Sequence, residues 1–300
     1  MSTPVHQKTL TNLANGLFNE STDVNSMFIA PVVPTGIVTF SVIDYAKRSG
    51  FQTPSGARAI GGDSKAVQSD GDRVDISLKP NGLHDFIDQH ELDQAGAQGL
   101  AILRQSRTQN LVTQASNSRF KDTITQINTI LNSPTATTWD SSADPISDID
   151  TLIEEMNDTT GILPNRILMS LKAWRIFRNH PKVIERYPGT LKISPSTLEA
   201  EGFFINSNLK IKVCSTVFDT RINVTSSKTN AVGADLYLFF ASDNAGLYDN
   251  SFAKTFRMKV SMNASVRTSQ KDYGEKLMVD WTEIVYVNNA SAGVRLTISE

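Results

Sequence analysis

The chain has 300 residues, 39% of them hydrophobic, enough for a substantial core in one large domain or two small ones. Its 29 lysines and arginines nearly balance 31 acids, for a formal net charge of -2, which excludes the basic excess that drives non-specific attachment to nucleic acid or anionic lipid. No stretch reaches the roughly 18 apolar residues of a membrane span, the amino terminus lacks the apolar core of a signal peptide, and Cys214, the single cysteine, fits a chain made in a reducing cytoplasm.

Residues 1–35 are polar and end in FIAPVVPTG, where Pro31 and Pro34 enforce an extended path and withhold two backbone donors. This segment reads as an arm laid on a surface. From Gly36 to about Pro80, the strand-like runs GIVTFSVIDY and RVDISLKP flank a middle rich in glycine and charge. The pattern predicts an extended hairpin that cannot bury both faces by itself and needs a partner surface. Its basic residues Arg58, Lys65 and Arg73 read as a solvated loop or a contact tip.

From His84 to Thr129 the spacing turns helical, with Leu100, Leu103, Leu111 and Val112 on one stripe over 100–116. A second helical piece over 121–131 carries Ile124, Ile127 and Ile130. Read as helix, HDFIDQHELD at 84–93 sets His84, Asp88 and Glu91 on one face, a candidate divalent-ion site. Acids at a helix start serve capping and the dipole more often. NSPTATTWDSSAD then reads as a loop.

The clearest helix follows: Asp144 caps it, Pro145 suits its first turn, Ile146, Ile149, Ile153 and Met156 line one face, and Gly161 fits its exit. Residues 165–170 read as a buried strand, and Ser170 caps a helix whose Leu171, Trp174 and Phe177 share a face until His180 and Pro181 stop it. This helix, strand, helix unit packs as an α/β layer. Beyond it come the strands IKVCSTVF and ADLYLFFA, the second apolar enough to be central in a sheet. Strict alternation over 256–266 predicts one long half-buried strand, 277–281 begins its return, and GVRLTI closes the chain.

Catalytic patterns are thin. GARAIGGDSK at 56–65 departs from a phosphate loop because Gly62 stands where the lysine belongs and no strong helix follows. There is no G-x-S-x-G elbow, Cys214 has no histidine nearby in sequence, and His6 and His180 read as exposed or capping. No cofactor is expected.

The order Asp144-Pro145 with its helix, then Thr160-Gly161, Pro164-Asn165, the run Ile167-Leu168-Met169 and a helix bearing Trp174 resembles the central domain of tailed-bacteriophage major capsid proteins. Gly161, Pro164, Asn165 and Trp174 carry that signature. The resemblance implies an α+β capsid fold: an amino-terminal arm (1–35), an extended hairpin loop (36–82), a long spine helix with peripheral structure (83–138), a central α/β domain (139–246), peripheral strands (247–288) and a C-terminal strand (289–300). It further implies a non-enzymatic subunit that self-assembles as pentamers and hexamers into an icosahedral shell around double-stranded DNA. Assembly would occur in a host cytoplasm with a separate scaffolding protein and a portal, the packaged DNA touched weakly and no membrane involved. A same-fold alternative is an encapsulin-like compartment; one from another class is a metal-binding enzyme or ligand module built on 84–93.

Overall fold

The computed structural model describes residues 5–20, 23–44, 56–58, 60–64, 72–186, 194–219, 227–259, 265–271 and 273–300. In chain order these begin with β1 (Val5–His6), α1 (Lys8–Glu20), α2 (Asp23–Ile29), β2 (Val32–Thr35), β3 (Thr39–Asp44), β4 (Asp72–Ser77), β5 (Lys79–Asp88) and α3 (Gln89–Ile130). Then come β6 (Thr135–Thr138), α4 (Pro145–Thr160), β7 (Arg166–Ser170), α5 (Leu171–Arg178), α6 (Pro181–Glu185), α7 (Thr197–Glu201) and β8 (Lys210–Cys214). The chain ends with β9 (Val217–Asp219), β10 (Lys228–Asn230), β11 (Asp235–Phe239), β12 (Ala253–Met258), β13 (Ser265–Lys271), β14 (Gly274–Val287) and β15 (Gly293–Ser299).

The two helical pieces expected over 100–116 and 121–131 are one helix, α3, of 42 residues. Asp88 caps it by accepting from the His90 amide, and Gly96, with φ 59° and ψ -176°, kinks its first turns. The 34 residues beyond the kink extend about 50 Å at the usual rise per residue. Asn117 and Ser118 did not break the helix because Arg119 and Phe120, which follow them, are both buried in tertiary contacts.

Two sheets share this helix. In the peripheral sheet the long β14 pairs on one side with β5, from Gly274↔Asp88 to Glu283↔Lys79. Its other side carries β13, from Ser265↔Asp280 to Lys271↔Gly274, and then β12, from Ala253↔Val287 to Arg257↔Glu283. β1 extends β13, and β2 lies parallel to β12. Leu111, Val112 and Ala115 of α3 pack with Val266, Leu277, Val279 and Trp281 of this sheet and with Ala14 of α1. Further along, Phe120, Ile124 and Ile127 meet Leu168, Tyr237 and Phe239 of the central sheet.

The central sheet has the order β6-β15-β11-β7-β8, with β11 in the middle and antiparallel to both neighbours. All five residues of β11 are buried, as its composition predicts. The other face carries a second core built from Ile146, Ile149, Ile153 and Met156 of α4, Trp174 and Phe177 of α5, and Leu236, Leu238, Leu296 and Ile298. β6 to β7 and β7 to β8 are parallel steps in the same direction across the sheet, so right-handed crossovers put α4 and α5 on one face.

Four expectations are corrected. Residues 84–88 are strand, because Leu83, Asp85 and Ile87 face α3 and alternate with His84 and Phe86; the boundary expected at 82/83 therefore falls inside β5. The loop after α3 contains β6, which adds a parallel edge to β15. Leu171 is exposed, and the inward face of α5 is Ala173, Trp174, Ile176 and Phe177. The alternating stretch 256–266 is not one uninterrupted half-buried strand: pairing with β14 stops at Arg257↔Glu283 and resumes at Ser265↔Asp280, and residues 260–264 lie outside the described residues.

Arg257, which the alternation sets on the solvent side, is buried for a specific reason. Its Nε lies 2.8 Å from Glu283 Oε2, while Arg119 Nε of α3 reaches Glu283 Oε1 at 2.9 Å, with all three side chains under 10% exposed. The Arg119 guanidinium also sits over the Trp281 ring, 5.1 Å from its centroid. One carboxylate thus ties the spine helix to two strands. Glu283→Ala, which strands two buried cations, should cost about 3–5 kcal/mol of subunit stability, read as a fall in the urea midpoint.

Candidate assembly surfaces

The hairpin is built as its sequence predicts, with β3 and β4 antiparallel from Thr39↔Ser77 to Asp44↔Asp72. Ser41 Oγ donates to Asp75 Oδ1 at 2.5 Å across the ribbon. The partner surface it needs lies, for its base, within the same chain: Val42 and Ile76 are buried with Val33, Leu78 and Phe256, and Phe40 meets Phe256 edge-on at 5.0 Å. At its foot, just before β3, Ile37 and Val38 are exposed. At the tip, Gly61 takes φ 81°, Arg58 Nη1 donates to the Gly62 carbonyl at 3.0 Å, and Ile60 stands fully in solvent. Arg73 is exposed near the start of β4; Lys65 lies outside the described residues. The residues directly after the 56–64 turn, 65–71, lie outside the described residues.

The arm is laid on its own subunit. α1 packs on α3 and β13, and β2 is stitched into the peripheral sheet. α2 is held by Phe28, whose carbonyl accepts from Arg166 Nη1 at 2.6 Å and whose ring is met by both the Arg166 guanidinium and Lys212 Nζ, 5.1 and 5.3 Å from its centroid. Arg166 also donates to Asp243, and that hydrogen bond holds the Asp243 carboxyl below its usual range. Burial pushes the Lys212 pKa down and the Cys214 thiol up. Cys214 is accordingly a buried thiol with little thiolate character.

Gly161, Pro164, Asn165 and Trp174 each make a defined contact around the central sheet. Gly161 ends α4 in the left-handed region, φ 66°, its amide donating to the Asn157 carbonyl at 2.7 Å. The Pro164 carbonyl accepts from Asn206 Nδ2 at 2.7 Å. Asn165 is the node: its side-chain amide donates to the Ala241 carbonyl at 2.8 Å and accepts from the Ala241 amide at 2.9 Å, mimicking a strand partner just before β7 begins. Its backbone meanwhile donates to the Phe239 carbonyl and accepts from the Lys210 amide, so it bridges the ends of β11 and β8. Trp174 stacks on Phe177 at 5.8 Å.

The candidate ion site at 84–93 does not assemble. His84 and Asp88 belong to β5, Asp88 is spent as the α3 cap, and Glu91 pairs with Arg107, which also reaches Asp85. Among the described residues no three His, Cys, Asp or Glu side chains converge to hold a metal. His180 caps α6 by accepting from the Lys182 amide, while its Nε2 donates to the Asp140 carbonyl at 2.6 Å; His6 lies in β1. The sequence reading missed the Arg119, Glu283, Arg257 cluster, whose one signal was an arginine inside a strand pattern.

The sequence matches the family described as phage major capsid protein E over residues 114–283, more than half of the chain and from the middle of α3 nearly to the end of β14. In fold it is similar to a phage-related protein of Bordetella bronchiseptica (TM-score 0.72, 17% identity, covering 98% of this chain and 97% of that one). It is also similar to a putative prophage capsid protein of Escherichia coli (TM-score 0.58, 11% identity, 99% and 100% covered). A third likeness is to a virus-like particle protein of Pyrococcus furiosus (TM-score 0.55, 10% identity, 96% and 97% covered). No curated protein sequence matches. Asn165→Ala would leave the Ala241 amide and carbonyl without their partner and should cost about 2–4 kcal/mol in chemical denaturation.

Proposed function

The chain belongs to the phage major capsid protein E family, and from that premise we propose that its copies gather as pentamers and hexamers into an icosahedral shell around a double-stranded DNA genome. Its role as a structural capsid protein follows from the family; the family match over 114–283 is the observation that carries the reading. The fold agrees with it, since the phage-related protein and the putative prophage capsid protein above are matched along nearly the whole chain. An encapsulin-like compartment would use the same fold, and the family match favours the capsid.

The physics supports a lattice role. The hairpin's described strands, β3 and β4, form a sheet of two strands, an arrangement marginal in isolation and sensible where a neighbouring copy covers its outer face. Symmetry then repeats each weak contact many times. In this reading Arg58, Lys65 and Arg73 touch a neighbouring subunit, whereas Gly161, Pro164, Asn165 and Trp174 shape the central domain without chemistry. A near-neutral subunit suits a shell that touches its packaged DNA weakly. The proposal includes a separate scaffolding protein and a portal as partners, assembly in the host cytoplasm and no enzymatic activity.

Electron microscopy of the purified protein over a range of concentration and salt tests this directly. Closed shells, or rings of five and six, are expected, and native particles should protect DNA from nuclease, which an encapsulin-like shell would not. Deleting residues 56–70 should leave a folded subunit, by circular dichroism, with impaired assembly.

A further inference from the structure

The helical face of the central domain carries two charge strips that make little sense within one subunit. On α4, Glu154, Glu155 and Asp158 are exposed, and Asp158 lies in the last turn, where the helix dipole disfavours an anion and no basic residue sits. Glu154 and Asp158, four residues apart, also repel each other. Among the described residues none of these three carboxylates has a hydrogen bond or ion pair. On α5 the signs reverse. Lys172 is exposed in the first turn, where the dipole disfavours a cation, and it too has no partner among the described residues. Arg175 shares its face and meets only Glu300, an exposed pair of little energetic weight.

The topology sets these strips on different flanks of the same layer. α4 is the crossover from the β6 edge and touches the turn before β15, whereas α5 touches β7 and β8 at the opposite edge. In a ring generated by rotation, one flank of each copy meets the other flank of the next, a heterologous contact.

We propose that the acidic strip of α4 (Glu154, Glu155, Asp158) docks against the basic strip of α5 (Lys172, Arg175) of a second copy of this chain. The contact relieves on each side a charge placed against its own helix dipole, and its polarity fixes the direction in which subunits succeed one another around the ring. This inference rests on the shell reading and names one of its interfaces.

Charge reversal tests it. The double variants E154K/E155K and K172E/R175E should each fold as the wild type does, by circular dichroism and thermal unfolding, because all four side chains are exposed. Each should lose the rings or shells seen by sedimentation and electron microscopy, and the quadruple variant, which restores opposite signs between positions 154 and 155 on one copy and 172 and 175 on the next while Asp158 stays acidic, should recover a substantial part of them. Wild-type assembly should also weaken as salt rises from about 0.05 to 1 M. Doubles that assemble like the wild type, a quadruple as defective as the doubles, or assembly indifferent to salt would overturn the proposal. A wild-type protein that forms no rings or shells under any condition would instead count against the shell reading itself.

Discussion

The sharing of one helix between two sheets is the constraint from which the rest of the structure follows. α3 turns Leu111, Val112 and Ala115 to the peripheral sheet and Phe120, Ile124 and Ile127 to the central one. Neither sheet has a complete core without it. Among the described residues the hairpin base covers the far side of the peripheral sheet at β12 and β14, and the central sheet relies on α4 and α5 for its opposite face. At the changeover sits Arg119, bound to Glu283 of the peripheral sheet and stacked on Trp281. Buried ion pairs contribute little net stability compared with apolar packing, but breaking one is costly, so the cluster fixes the register of helix on sheet.

Buried polar groups elsewhere serve similar ends. Lys254 is fully buried and donates to the carbonyls of Leu247 and Asp249, which pins the 247–249 loop to β12. Asp235 accepts from Arg295 and Thr297, joining the neighbouring strands β11 and β15, and Tyr237 donates to Asn128 of α3. Inside the subunit these groups are satisfied by one another. On the surface, by contrast, the strips on α4 and α5 and the exposed stretch Ile37 and Val38 are left facing outward. Such a division, closed within and open at defined faces, is what repeated assembly of identical subunits requires.

Much of this was legible in the sequence where local chemistry and tertiary packing agree. α4 is announced by Asp144, Pro145, its apolar stripe and Gly161, and all are used as the sequence suggests. β7 and β11 are short apolar runs too short for helices, and β3 and β4 show strand composition on both sides of a turn-rich middle. Where the two disagree the reading failed. Residues 84–88 contain charges at helical spacing, but alternation of Leu83, Asp85 and Ile87 along the edge of β14 wins. Arg257 looks solvent-facing because nothing local reveals that Glu283 and Arg119, 26 and 138 positions away, wait beneath it. Asn165 stood out only as part of a Pro-Asn turn, and its pairing with Ala241 spans 76 residues. Long-range polar contacts leave no periodic trace.

A subunit whose core is complete on its own, and whose assembly uses surfaces already exposed, makes a distinctive demand on dynamics. Hydrogen exchange compared between free subunits and assembled shells tests that most directly. Amides of α3 over 108–127 should be strongly protected in both states, with new protection on assembly confined to the hairpin strands and the α4 and α5 faces. If α3 gained its protection only in the shell, the core would depend on neighbours, and the architecture argued from its packing would be contradicted.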